Sequence, residues 1–167
     1  MEVLGADLWT WACGAVLAAA LTLLSVIDLK TGYLPDIIVL PLGAVGLAVA
    51  VAGSPIGVSW PLALAGAALN AAVFYGLRWL VSRMKGREAM GLGDVKLVAA
   101  GGLWLGPIAL PYIMAVGGLA TLAGAGLVGL IVRKPVWRGE MPLGPGLALG
   151  IFGVYVAAAG GWLPTLM

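Results

Sequence analysis

Residues 8–27 read LWTWACGAVLAAALTLLSVI, a run of 20 positions without a carboxylate or a cation. A membrane-spanning helix needs roughly 20 apolar residues, so this run is long enough to cross. Working outward, similar runs recur at Ile37–Ala52, Trp60–Val81, Val95–Pro107, Ala109–Val132 and Leu143–Leu163. Of the 167 residues, 62% are hydrophobic and 10% charged, against about 25% charged in an ordinary soluble domain. A globule of this size leaves a large share of its surface wet, so lipid is the solvent that fits. The expected fold is all-α: one polytopic membrane domain over residues 1–167 with about six transmembrane helices. The fourth run is short, and its helix must either start in the preceding glycine segment or dip incompletely through the bilayer.

The first run differs from a secretory signal, whose apolar core is about 7–15 residues behind a basic flank. Here the flank carries Glu2 and Asp7, and a permanent helix is expected. The cations set the orientation. Lys30 follows the first run; Arg78, Arg83, Lys85, Arg87 and Lys96 surround the third connection; Arg133, Lys134 and Arg138 lie in the fifth. The connections Gly53–Ser59 and Gly106–Pro111 carry no charge. With all nine cations on one side, the positive-inside rule makes that side cytoplasmic. Both termini are then expected outside the cell membrane. Trp9, Trp60, Trp79, Trp104, Trp137 and Trp162 fall near the ends of the runs, where indoles anchor to headgroups. Gly102/Gly106 and Gly146/Gly150 have the spacing that lets helices approach closely in lipid.

Histidine is absent, which excludes Ser-His-Asp and Cys-His catalysis and any histidine zinc site. Cys13, the one cysteine, lies in an apolar run and reads as packing. No metal and no cofactor are expected. No basic run interleaved with aromatics suggests nucleic acid, so lipid is the partner that composition implies.

Two acidic residues, Glu2 and Asp7, flank the outer end; Asp28, Asp36, Glu88, Asp94 and Glu140 fall on the basic side. Ionisable groups at membrane depth are costly and usually functional. Asp28 ends the first run and Asp94 opens the fourth after Gly91-Leu92-Gly93, so alternating helices carry both to one membrane boundary. Two adjacent carboxylates share a proton, one acting as base toward water and the other as acid. Gly91 and Gly93 would admit an extended substrate close to Asp94. Plainer readings exist: Asp94 as a helix N-cap after a glycine turn, Asp28 as the edge of the lipid, Asp36 as the cap of the second helix. Glu88 and Glu140 read mainly as solvated loop charges, with contact to a basic substrate as the lesser reading for both. Lys96 either reaches the headgroups or holds the negative charge of the pair. Because Asp94 begins a helix and Asp28 ends one, the helix dipoles would leave the shared proton on Asp28 and make Asp94 the base. A small transporter or proton-relay protein would use the same aspartates, but such groups usually lie near the midplane.

Ile27-Asp28-Leu29-Lys30 followed by Leu34-Pro35-Asp36 resembles the first aspartate motif of prepilin peptidases, the type IV leader peptidases. Glu88-Ala89-Met90-Gly91-Leu92-Gly93-Asp94-Val95-Lys96-Leu97 resembles their second, the GxGD segment. Met141-Pro142-Leu143-Gly144-Pro145-Gly146 is similar to a Pro-aromatic-Gly-Pro segment near the family's C-terminal end, with Leu143 in the aromatic position. Ala89 stands where a glycine is usual. The Pro-Ala-Leu segment of presenilin-like GxGD peptidases is absent from the sequence. The resemblance implies an aspartic endopeptidase of type IV pilus and type II secretion systems, with Asp28 and Asp94 catalytic and Gly91, Gly93, Lys96, Asp36 and Glu88 supporting. It implies prepilin and pseudopilin substrates: a basic leader in the cytosol, then an apolar helix, cut at the junction, commonly after glycine. Many bacterial members add a cysteine-rich domain and methylate the new N-terminus; with one cysteine, this chain resembles a peptidase-only form in the inner (plasma) membrane.

Overall fold

The computed structural model describes residues 2–86, 91–132 and 143–163. They form six α-helices: α1 (Glu2–Thr31), α2 (Asp36–Gly53), α3 (Trp60–Lys85), α4 (Leu92–Leu105), α5 (Leu110–Val132) and α6 (Gly144–Ala159), with a 3₁₀ turn at Pro107–Ala109 before α5. The all-α polytopic expectation holds in the number of helices, but not all six are long enough to be spans. Among the described residues four segments are long and apolar enough to cross a membrane: Leu8–Thr31, Asp36–Gly53, Trp60–Lys85 and Pro107–Leu127. The fourth expected span does start in the glycine segment, at Leu92. At 1.5 Å per residue, α4 and α6 fall short of the roughly 30 Å hydrocarbon core.

Chain breaks follow local chemistry. Gly32, at φ 65°, closes α1 with its N–H on the Asp28 carbonyl (2.8 Å). Gly106, at φ 77°, ends α4 and donates to the Gly102 carbonyl (2.8 Å), turning the chain into Pro107. Both are left-handed conformations that disfavour a side chain.

Cross-helix contacts define an up-and-down arrangement. Trp9 Nε1 donates to the Gly53 carbonyl (3.0 Å) and Tyr155 Oη to the Thr10 carbonyl (2.8 Å), which gathers the start of α1 with the ends of α2 and α6. At the other end, Asp28 near the end of α1 meets Gly144 at the start of α6, and Lys96 in α4 meets Asp36 at the start of α2. In the α3–α4 pair, a methyl on Gly66 would stand 2.5 Å from the Gly102 carbonyl oxygen, so backbone lies on backbone. Likewise a methyl on Gly150 would stand 2.5 Å from the Ile113 carbonyl oxygen of α5. Packing is thus the role of Gly102, Gly146 and Gly150, as expected of small residues in lipid.

The core runs through the bundle from Leu17 and Leu24 of α1 to Leu97 and Val98 of α4 and Ile151 of α6. Many large apolar side chains, among them Ile37, Leu119 and Leu127, face outward, which is the arrangement lipid rewards. Trp9, Trp60, Trp79 and Trp162 are exposed, as headgroup anchors should be. Trp104 is not. It is 3% exposed, donates from Nε1 to the Leu42 carbonyl (2.9 Å) and stands edge-on to Tyr155 at 6.2 Å. Its ring lies over Gly46, where a methyl would be 2.5 Å from Cδ1. The reason is that α4 is short, so its last turn lies inside the bundle against α2. Trp137, Glu88 and Glu140 lie outside the described residues.

Candidate active site

Asp28 and Asp94 are 6% and 9% exposed, and they are the two buried carboxylates among the described residues. Asp28 lies one turn before the end of α1 and Asp94 in the first turn of α4. Both stand at the end of the bundle where α2 and α6 begin: Asp28 meets the Gly144 N–H, and Lys96, two residues after Asp94, meets Asp36. The bundle therefore brings together two groups that stand 66 positions apart in sequence.

Each carboxylate has a distinct setting. Asp28 Oδ2 accepts the backbone N–H of Gly144 (3.1 Å), the first residue of α6. The first N–H groups of a helix have no partner inside it, and this one is satisfied by the carboxylate. A methyl on Gly144 would come within 2.8 Å of Asp28 Cγ, so the close approach requires glycine. Sequence reasoning placed Gly144 in a motif but gave it no role at the site; the Gly-Pro pair opening a helix was the available signal. The contact also removes the asymmetry behind the proton assignment. Asp28 sits at the end of its own helix but at the start of α6, so both carboxylates face the positive end of a helix dipole.

Asp94 is not the N-cap of α4, since Gly91 holds that position and no side chain caps the helix. Gly91 has φ −67°, an ordinary extended conformation, and a methyl there would meet Asp94 Oδ2 only at 3.8 Å. Gly93 is helical, and a methyl on it would stand 2.8 Å from Leu34 Cβ. The second glycine thus lets Leu34 close over the start of α4, where a special turn had been expected. Leu34, buried between α1 and α2, is a site neighbour that sequence reasoning passed over.

Asp36 is not an N-cap either. Pro35 precedes α2 as its cap residue, Asp36 is the first helical residue, and no side-chain cap hydrogen bond forms. Its carboxylate instead takes Lys96 Nζ at 2.8 and 2.7 Å on its two oxygens. Lys96 thereby reaches across to α2, and the pair ties α2 to α4 two residues beyond Asp94. Both partners are 43% exposed, so the direct stabilisation is at most about 1 kcal/mol. Among the described residues no group of three or more His, Cys, Asp or Glu side chains is arranged to hold a metal ion. Cys13 is free and buried.

An all-α bundle of apolar helices with two buried aspartates, on different helices at the same end, defines the class: a polytopic membrane protein. Residues 15–132 match the family model described as the type IV leader peptidase family, and the chain belongs to that family. It is 41% identical over 140 residues to a prepilin leader peptidase/N-methyltransferase of Burkholderia pseudomallei, covering 80% of this chain and 42% of that protein. It is 37% identical over 153 residues to a type 4 prepilin-like proteins leader peptide-processing enzyme of Escherichia coli O78:H11, covering 89% and 53%. A prepilin leader peptidase/N-methyltransferase of Neisseria gonorrhoeae is 34% identical over 160 residues, covering 92% and 52%. The chain spans about half the length of these curated relatives. No solved structure matches it significantly.

Proposed function

We propose that this chain is a membrane-embedded aspartic endopeptidase that removes the basic leader from prepilin-like and pseudopilin proteins. The observation that carries the reading is the pair of buried carboxylates, Asp28 and Asp94, at one end of a bundle whose family is named for leader-peptide cleavage. With one proton between them, the ionised aspartate takes a proton from water as its oxygen attacks the scissile carbonyl. The protonated partner hydrogen-bonds the carbonyl oxygen and then protonates the leaving amine as the C–N bond breaks. The Gly144 N–H holds Asp28 in one orientation, which suits a reaction that depends on positioning. The proposal covers proteolysis; N-methylation is named for relatives that extend beyond the matched region.

The proposed site faces the cytoplasm of the inner (plasma) membrane. Lys30, Arg83, Lys85 and Lys96 all lie at the end of the bundle that holds the carboxylates, and positive charge favours the cytoplasmic side. Single cysteines at Ser54 and Ser82 in a Cys13-free background test the orientation. An impermeant thiol reagent added outside should label position 54 and spare 82; the reverse pattern overturns it. For the activity, the purified protein is incubated with a membrane-embedded prepilin carrying a basic leader, and the product's new N-terminus is sequenced. Cleavage at the leader–helix junction supports the reading. An intact prepilin, with the protein shown to be folded, rejects it.

A further inference from the structure

Asn70 lies in the middle of α3, which is otherwise apolar from Trp60 to Leu77. It is 0% exposed, and apart from Asp28 and Asp94 it is the remaining buried polar side chain among the described residues. Its Nδ2 donates to the Val98 carbonyl of α4 at 3.4 Å, a long hydrogen bond, and its Oδ1 has no partner. Exchanging the amide's N and O would set oxygen against oxygen, so hydrogen bonding selects this orientation. Leaving a buried acceptor unpaired costs about 1–3 kcal/mol. An apolar residue of the same size would avoid that cost, so the amide lowers stability where it stands.

The position of the amide explains what it does. Val98 is one helical turn beyond Asp94. Gly66 of α3 meets Gly102 of α4, and Asn70 meets Val98, an antiparallel register in steps of one turn. The next step sets Phe74, also buried, level with Asp94. Glycine against glycine brings the two backbones together but is smooth, and nothing in it fixes how α4 is turned about its own axis. Asn70 adds a directional contact to that surface. It reaches the α4 backbone itself, one turn from the carboxylate.

We propose that Asn70 is a positioning residue: from the α3 side it fixes the rotation of α4, which Lys96 and Trp104 hold on the α2 side, and through it the placement of Asp94 relative to Asp28. The inference rests on the peptidase reading above. A side chain stands several ångström off the helix axis, so a modest rotation of α4 moves the carboxylate by about 1 Å, a displacement that costs about 100-fold in rate.

The decisive variant is Asn70→Leu, close in volume and free of the orphan acceptor. Prepilin cleavage is measured in the full chain, with kcat and KM separated and the thermal midpoint followed alongside. The expected result is a kcat reduced at least about tenfold, a KM within about twofold, and a thermal midpoint equal to or above wild type. Asn70→Ala serves if the leucine variant misfolds, with the same kcat loss and a lower midpoint. Leu105→Ala, which truncates a buried side chain of α4 three turns from Asp94, should lower the midpoint and leave kcat unchanged. Full kcat in both Asn70 variants overturns the proposal, as does a kcat loss in Leu105→Ala equal to theirs, which would mark a general effect of loosened packing. A wild-type protein that cleaves no prepilin would instead reject the peptidase reading itself.

Discussion

At the end of the bundle away from the carboxylates, the helices are joined by neutral donors on backbone carbonyls: Trp9 on Gly53, and Tyr155 on Thr10. At the acidic end the joining groups are charged: Asp28 on the Gly144 N–H, and Lys96 on Asp36. The neutral contacts satisfy groups that would otherwise be bare in lipid, and each is a net gain of about 1 kcal/mol. The buried carboxylates incur desolvation that a structural contact would not require. Under the proposed peptidase reading the difference separates fastening from chemistry, and it gives a graded set of expectations for activity.

The largest effect belongs to the pair. Asp28→Asn and Asp94→Asn keep the shape of the side chain and remove its acid–base capacity, a term of about 10²–10⁴-fold in rate. Each variant should insert and fold as wild type does while cleavage falls below detection. Near-normal cleavage by either one would show that the acidic end is fastening too. Next is Gly144→Ala. The added methyl collides with Asp28, and displacing the carboxylate by about 1 Å should cost about 100-fold in kcat. Measured against Asp28→Asn, a loss of less than threefold would separate the α6 contact from the chemistry.

The ion pair between Lys96 and Asp36 should matter less. Both partners are half-exposed, and exposed pairs contribute about 0.2–1 kcal/mol. Lys96→Ala and Asp36→Asn should each slow cleavage only several-fold, and the double variant no further than the worse single one. Additive losses would mean that the two residues act separately, with Lys96 serving the carboxylates directly.

The long helices were legible because an unbroken apolar run has a single reading once its length matches the bilayer, and the short α4 and α6 because their runs are apolar throughout. The placement of Asp28 and Asp94 at one end of the bundle was legible, since alternating direction brings the end of the first run and the start of the fourth to one boundary. Partners across the bundle were not legible. Asp36 looked like a cap because local sequence shows the proline before it, whereas its lysine lies 60 positions away. Gly144 and Asn70 depend on which helices touch, and periodicity in an all-apolar helix points to no particular neighbour. Trp104 misled for the same reason: a tryptophan near a helix end suggests the headgroups unless the shortness of α4 is known to draw that end inward.

The smallest effect on cleavage should come from Trp104, and it tests whether the two kinds of contact are independent. Trp104→Phe removes the hydrogen bond to the Leu42 carbonyl, worth about 1 kcal/mol, together with part of a ring packed over Gly46. Stability should fall and the thermal midpoint with it, because a void in a packed interior is costly. Cleavage per folded molecule should stay within about twofold of wild type, since Trp104 is ten residues, nearly three turns, beyond Asp94 along α4. Gly46→Ala offers the complementary perturbation: its methyl would press into the indole, so it should destabilise wild type more than it destabilises Trp104→Phe. A thermal double-mutant cycle measures that coupling. A tenfold drop in kcat for Trp104→Phe at unchanged KM would show that the last turn of α4 transmits to Asp94. Fastening and chemistry would then be one rigid unit.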